Sequence, residues 1–177
     1  MKQAKTIRRI HITGAPGTGK TTLGKQLSQI LRIPLYELDD LLWVKKYEQR
    51  RTKEERITLL KKITAKRSWI TDSTSTSCAQ DAVQKADLVI EIQQTRPVLA
   101  WRILRRKLQQ QQQPGAPKET LRSILNLSRY AWVYRNPKKE YRQRHDLLMQ
   151  ETEGEHLIIT NKKDMKRLLE RVAKERR

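Results

Sequence analysis

The sequence is short of cysteine, of acidic residues and of long apolar runs, and each shortage excludes something. Its single cysteine, Cys78, rules out an internal disulfide framework and any cysteine-based zinc site. No apolar run approaches the roughly 18 residues that a membrane-crossing helix needs. The opening Met1-Lys2-Gln3-Ala4-Lys5 is basic, but Ile10-His11-Ile12-Thr13 is too brief and polar for a signal-peptide core. We therefore expect a reduced, cytoplasmic protein with no membrane partner, folded as one domain over residues 1–177. Asp and Glu number 19 against 39 Lys and Arg, a formal charge of +20. Apolar clusters recur along the whole length, which excludes wholesale disorder.

What is present alternates between strand-like and helix-period segments. Ile7 to Thr13 reads as a strand, and Lys20 to Leu31 as an amphipathic helix with Leu23, Leu27, Ile30 and Leu31 on one face. Pro34 to Leu38 is a second short strand. Thr52 with Glu55 makes a capping box, opening a helix whose apolar stripe is Ile57, Leu60 and Ile63. Trp69-Ile70-Thr71, ended by Asp72, and Asp87 to Ile92 are two further strands. A helix from about Pro97 to Leu108 leads into the glutamine, Pro and Gly stretch at 109–117, a loop by composition. Two helices split by Asn136-Pro137, a fifth strand at Leu157 to Thr160 and a basic final helix complete the chain. This alternation predicts a three-layer αβα fold with a five-stranded parallel sheet. Ligands of such sheets sit at the carboxyl ends of the strands, where Gly14, Asp39, Asp72 and Gln93 fall.

Gly14-Ala15-Pro16-Gly17-Thr18-Gly19-Lys20-Thr21 fits G-x-x-x-x-G-K-[ST] at every fixed position, after an apolar strand and before a helix. The glycines let successive N–H groups turn inward around phosphate oxygens, and the helix N-terminus adds its dipole. Lys20 is placed to reach the β and γ phosphates, Thr21 to ligate Mg²⁺ and Thr22 to donate to the α phosphate. Binding of ATP with Mg²⁺ in a P-loop NTPase fold is the expectation.

A P-loop site takes a second metal anchor from an Asp ending an apolar strand, and Asp72 is that candidate. Asp87 precedes its strand and lies at the wrong edge. Asp39, at the end of the second strand, is placed to orient an acceptor hydroxyl, take its proton or hold Mg²⁺ through water; helix capping is its alternative. Arg102 and Arg106 stand four apart on one helical face, beside the loop expected to form a short lid around 105–120. Arg135, Arg142 and Arg144 form a second possible set. Phosphoryl transfer needs cations on the moving oxygens, and a solvated face is the bland reading of each arginine. His11, His145 and His156 show no ligand spacing and read as structural or surface residues. The four tryptophans, Trp43, Trp69, Trp101 and Trp132, read as core, with Trp43 close enough to Asp39 to line an acceptor pocket.

The chain order of these motifs resembles the P-loop kinases of the nucleoside-monophosphate-kinase type, in particular the bacterial DNA topology modulation (FlaR-related) proteins. The matching residues are the phosphate loop, Leu38-Asp39 with Leu42-Trp43, Trp69 to Asp72, Ala86 to Ile92, Arg96-Pro97 with Trp101-Arg102, and a helix around Trp132. The resemblance implies an ATP-dependent phosphotransferase acting on a nucleotide-like or other small acceptor. Where adenylate-kinase-like proteins carry Asp-Gly-Phe-Pro-Arg, this chain has Asp72-Ser73-Thr74-Ser75-Thr76.

Two features point elsewhere. Asn161-Lys162-Lys163-Asp164 fits the guanine-reading N-K-x-D pattern, yet no D-x-x-G follows the third strand and only 13 residues remain after it. ATP is therefore expected over GTP, with Asn161 near the base. Residues 101–150 carry twelve Lys or Arg against three acids, a net of +9. Such a concentration faces an anion or simply solvates a helix. If nucleic acid is that anion, the protein is an ATP-dependent nucleic-acid-binding regulator without kinase activity.

Overall fold

The structure, a computed structural model, describes residues 7–45, 48–74, 79–95, 97–99, 101–102, 105 and 140–175. Five strands form a parallel sheet: β1 (Arg9–Gly14), β2 (Leu35–Glu37), β5 (Trp69–Ser73), β6 (Leu88–Ile92) and β7 (Glu155–Ile159), in the order β2-β5-β1-β6-β7. Among the described residues the helices with given bounds are α1 (Lys20–Leu31), α2 (Lys53–Thr64), α3 (Gln80–Lys85), α4 (Glu140–Gln150) and α5 (Lys162–Glu175), and residues 97–99, 101–102 and 105 are helical too. A 3₁₀ turn (Leu38–Leu42) follows β2 and runs into a small antiparallel pair, β3 (Trp43–Lys45) and β4 (Gln49–Arg50).

The apolar pattern decides which layer lies where. Ile10 and Ile12 of β1 face Leu23 and Leu27 of α1 and Leu168 and Val172 of α5, with Ile70, Leu88 and Ile90 beside them. Each such side chain contributes roughly 1.5–3 kcal/mol on full burial. The opposite face packs Trp69 and Val89 on Leu60 and Ile63 of α2, Val83 of α3, and Leu148 and Met149 of α4. The helices therefore cover both faces of the sheet, and the αβα expectation holds. After β1 the chain moves to one side of the sheet and after β6 to the other. The carboxyl ends of β1 and β6 thus border the switch point, where such sheets bind ligands.

Several boundaries differ from the sequence reading. The second strand is shorter, because the chain coils into the 3₁₀ turn at Leu38 and carries Asp39 inside that turn. The third strand is longer, so Asp72 lies within β5 rather than beyond it. The β3–β4 pair and α3 have no counterpart in the periodicity analysis; each is too short to show a period. Ile57 is 41% exposed, since α2 turns mainly Leu60, Ile63 and Thr64 inward. Trp101 is 61% exposed and is no core residue, whereas Trp69 is fully buried and Trp43 half-buried. The expected lid, apart from the helical Arg105, falls outside the described residues, as do Arg106, Arg135 and Trp132.

Candidate functional site

The phosphate loop joins β1 to α1, and its conformation follows from its glycines. Gly14 has φ +151° and Gly19 φ +100°, values that L side chains rarely adopt. At Gly14 space is also lacking: a Cβ there would sit 2.6 Å from the Ile92 carbonyl oxygen. Thr18 closes the turn, its hydroxyl donating to the Ala15 carbonyl at 2.9 Å. Pro16 and Gly17 form the tip, Thr21 in the first turn of α1 is half-buried, and Thr22 is exposed.

Lys20 is buried and folds back over the loop, donating to the carbonyls of Gly14 at 2.9 Å and Ala15 at 3.2 Å. Burial pushes its ammonium pKa down, against the opposing pull of Asp39 and Asp72. Arg102 donates to the carbonyl of Thr18 at 2.8 Å and that of Gly17 at 3.4 Å, so its guanidinium rests on the loop.

Asp72 reaches the loop from the neighbouring strand. The Thr21 hydroxyl donates to Asp72 Oδ2 at 2.7 Å, joining the two residues expected to share a metal. Burial raises the Asp72 carboxyl to about 6; the Thr21 hydrogen bond and Lys20 work against that rise, and Glu37 and Asp39 add to it. A carboxylate and a hydroxyl are hard oxygen donors suited to Mg²⁺, and a cation here would relieve the charge that burial penalises. Among the described residues, no cluster of three or more metal-binding side chains occurs. Any metal held here would therefore take further ligands from water or phosphate. Asp39 sits nearby, its Oδ1 accepting from the Thr74 backbone N–H at 3.4 Å.

Asn161 lies at the same rim, but its side chain is engaged locally. Its Oδ1 accepts from the backbone N–H groups of Lys163 at 2.9 Å and Asp164 at 3.0 Å, and its Nδ2 donates to Asp164 Oδ2 at 2.8 Å. The N-K-x-D segment is thus the N-terminal cap of α5. Arg142, grouped by sequence with possible phosphate contacts, instead pairs with Glu91 at 2.7 Å and Asp146 at 2.7 Å. Arg144 pairs with Glu140 at the surface. Asp87 binds the backbone of Arg8 and Arg9 at the opposite edge of the sheet.

Sequence reasoning passed over Glu91 and Thr13. Glu91 is 1% exposed inside an otherwise apolar strand, and that isolation was itself the signal, since a buried carboxylate must find a partner. His11 and His145 are buried too, as structural residues. His11 Nδ1 and the Thr71 hydroxyl share a hydrogen bond at 2.9 Å, and burial lowers the His11 pKa to about 3.

Strand order and phosphate loop together give an αβα P-loop NTPase fold. A shikimate kinase from Acinetobacter baumannii, in complex with shikimate, shares it at a TM-score of 0.58 and 16% identity, over 95% of this chain and 92% of that one. The shikimate kinase from Bacteroides thetaiotaomicron has the same score and identity, over 95% and 97%. A gluconokinase from Sinorhizobium meliloti 1021 follows at 0.52 and 14%, over 97% and 93%. At these identities the likeness shows the fold alone. By sequence, 84 residues are 33% identical to the uncharacterized protein YqaC of Bacillus subtilis, 47% of this chain and 47% of that protein. The match spans about half the length of that curated relative. No family model matches the chain. Among the described residues, no helix is long and apolar enough to cross a membrane.

Proposed function

We propose that this chain is an ATP-dependent phosphotransferase moving the γ-phosphoryl group of ATP to a small hydroxyl- or phosphate-bearing acceptor. The observation that carries the reading is the Thr21–Asp72 hydrogen bond at 2.7 Å, set beside Lys20 and the glycine loop. Mg²⁺ bound by these oxygens would neutralise charge on the triphosphate. Lys20 exchanges its loop carbonyls for β and γ phosphate oxygens, and the loop N–H groups surround them. Arg102 supplies a second positive charge beside the loop, and Arg106, four residues on in the sequence but outside the described residues, is proposed for the same role. Asp39 takes the proton of an acceptor hydroxyl as its oxygen bonds to the γ phosphorus. The bond between that phosphorus and the β-γ bridging oxygen breaks, and ADP leaves. The shared fold with proteins named shikimate kinase and gluconokinase supports a small-molecule acceptor. An adenylate-kinase-like acceptor and the kinship with DNA topology modulation proteins belong to this proposal as well.

Transfer from labelled ATP is measured across nucleoside monophosphates, nucleosides, sugars and shikimate-like acids. We expect transfer to at least one class, lost in Lys20→Ala and lowered in Asp39→Asn with ATP affinity nearly unchanged. Normal ATP affinity and turnover in a folded Lys20→Ala protein would sink the site assignment. No transfer to any acceptor, together with tight, salt-sensitive DNA binding, would favour the nucleic-acid-binding regulator.

A further inference from the structure

Beneath the phosphate loop runs a line of buried polar contacts that the proposed chemistry does not use. Parallel register places Thr13 of β1 opposite Glu91 of β6, and Gly14 opposite Ile92 one residue further on. Both members of the first rung are held by one helix. Arg142 Nη1 of α4 donates to Glu91 Oε1 at 2.7 Å. Three residues later on α4, His145 Nε2 and the Thr13 hydroxyl share a hydrogen bond at 3.3 Å. Spacing of three puts both side chains on the same helix face. Glu91 also accepts from Gln93 Nε2 at 3.0 Å and lies 3.7 Å from His156 Nε2, while Arg142 additionally pairs with Asp146.

We propose that His145 and Arg142 are positioning residues for the phosphate loop: through Thr13 and Glu91 they fix the paired ends of β1 and β6, where Gly14 closes β1 against Ile92. The inference rests on the reading that this loop binds a triphosphate. Gly14 is bonded to Thr13 and lies flush on β6, so a small slip of either strand displaces it. Its carbonyl accepts from Lys20 at 2.9 Å, which carries the displacement to the ammonium that meets phosphate. Leu148 and Met149 anchor α4 by apolar packing, which is tolerant of sliding. A hydrogen bond and a buried ion pair are directional and set the register, the use best attested for buried polar groups.

The test is a double-mutant cycle read by the affinity of a fluorescent ATP analogue with Mg²⁺, alongside melting temperature. Thr13→Val and His145→Phe should each weaken binding about fivefold, and the double variant by no more than either alone, as expected of two residues acting through one contact. Thr13→Ser, which keeps the hydroxyl, should bind as wild type. If His145→Phe does not fold, the contrast between Thr13→Val and Thr13→Ser carries the test. Unchanged affinity with a lowered melting temperature in the single variants, or losses that multiply in the double, would overturn the proposal. Lys20→Ala is the control for the underlying site. If that variant folds and binds the analogue as wild type does, the triphosphate reading fails and this inference fails with it.

Discussion

At the scale of single residues, burial and charged partners compete, and the winner differs from one carboxylate to the next. The fold holds Asp72 with a carboxyl raised from 3.8 to about 6, burial being the largest cause. A raised pKa means that the native state keeps a proton the unfolded chain has lost. The stability this group supplies is therefore present below about pH 4 and is lost as pH rises through 6. At pH 7 its ionisation costs up to about 3 kcal/mol, from about two pKa units at 1.36 kcal/mol each. Asp72→Asn should consequently raise the melting temperature at pH 7 while weakening the Mg²⁺ dependence of nucleotide binding. Melting scans from pH 5 to 8 with a Mg²⁺ titration check both; an unchanged Mg²⁺ profile would refute the metal role. Glu91 behaves oppositely. Burial alone would raise its carboxyl, yet His156 and Arg142 outweigh burial and hold it at about 2. Its contribution is present above about pH 4.5 and fades as pH falls through 2. Glu91→Gln should cost on the order of 3 kcal/mol at pH 7 by breaking a buried pair, as chemical denaturation would show.

At the scale of elements, short-range capping explains a motif that has a second reading. Asp164 Oδ2 accepts from Thr160 Oγ1 at 3.2 Å and Asn161 Nδ2 at 2.8 Å, which secures the turn into α5. A guanine-reading Asp would need that oxygen free for a ligand. Asp164→Ala should destabilise the protein by about 1 kcal/mol, the usual cost of a lost cap, and leave the ratio of ATP to GTP affinity unchanged. Competition binding with the two nucleotides decides it, and a GTP preference abolished by the substitution would restore the guanine reading. The Thr52–Glu55 capping box, by contrast, was legible in advance and is formed, with Thr52 N donating to Glu55 Oε2 at 2.8 Å. Both caps are local, so four residues of sequence suffice to specify either. Only the structure shows that the Asn161 side chain caps α5.

For the whole molecule, a charge of +20 makes the folded state repel itself, and salt should relieve it. A bound polyanion does more, because a ligand present at 100 times its Kd stabilises the native state by about 2.7 kcal/mol. MgATP should raise the melting temperature of wild type beyond what NaCl of equal ionic strength achieves, and by no more than NaCl in Lys20→Ala. Equal shifts in the two proteins would mean that ATP acts only through the basic surface. Thermal scans at matched ionic strength make the comparison.

The sequence by itself determined the phosphate loop, the alternation that yields a parallel αβα sheet and the capping box of α2. These are local in the chain: a glycine turn, an apolar period and a four-residue box are complete within a few positions. Tertiary structure alone decided that Thr21 meets Asp72 across 51 residues, that α4 grips Thr13 and Glu91, and that Trp101 faces solvent. Those contacts depend on strand order and register. Periodicity shows which residues turn inward, but the partner each one meets is set by which strands the crossovers bring side by side.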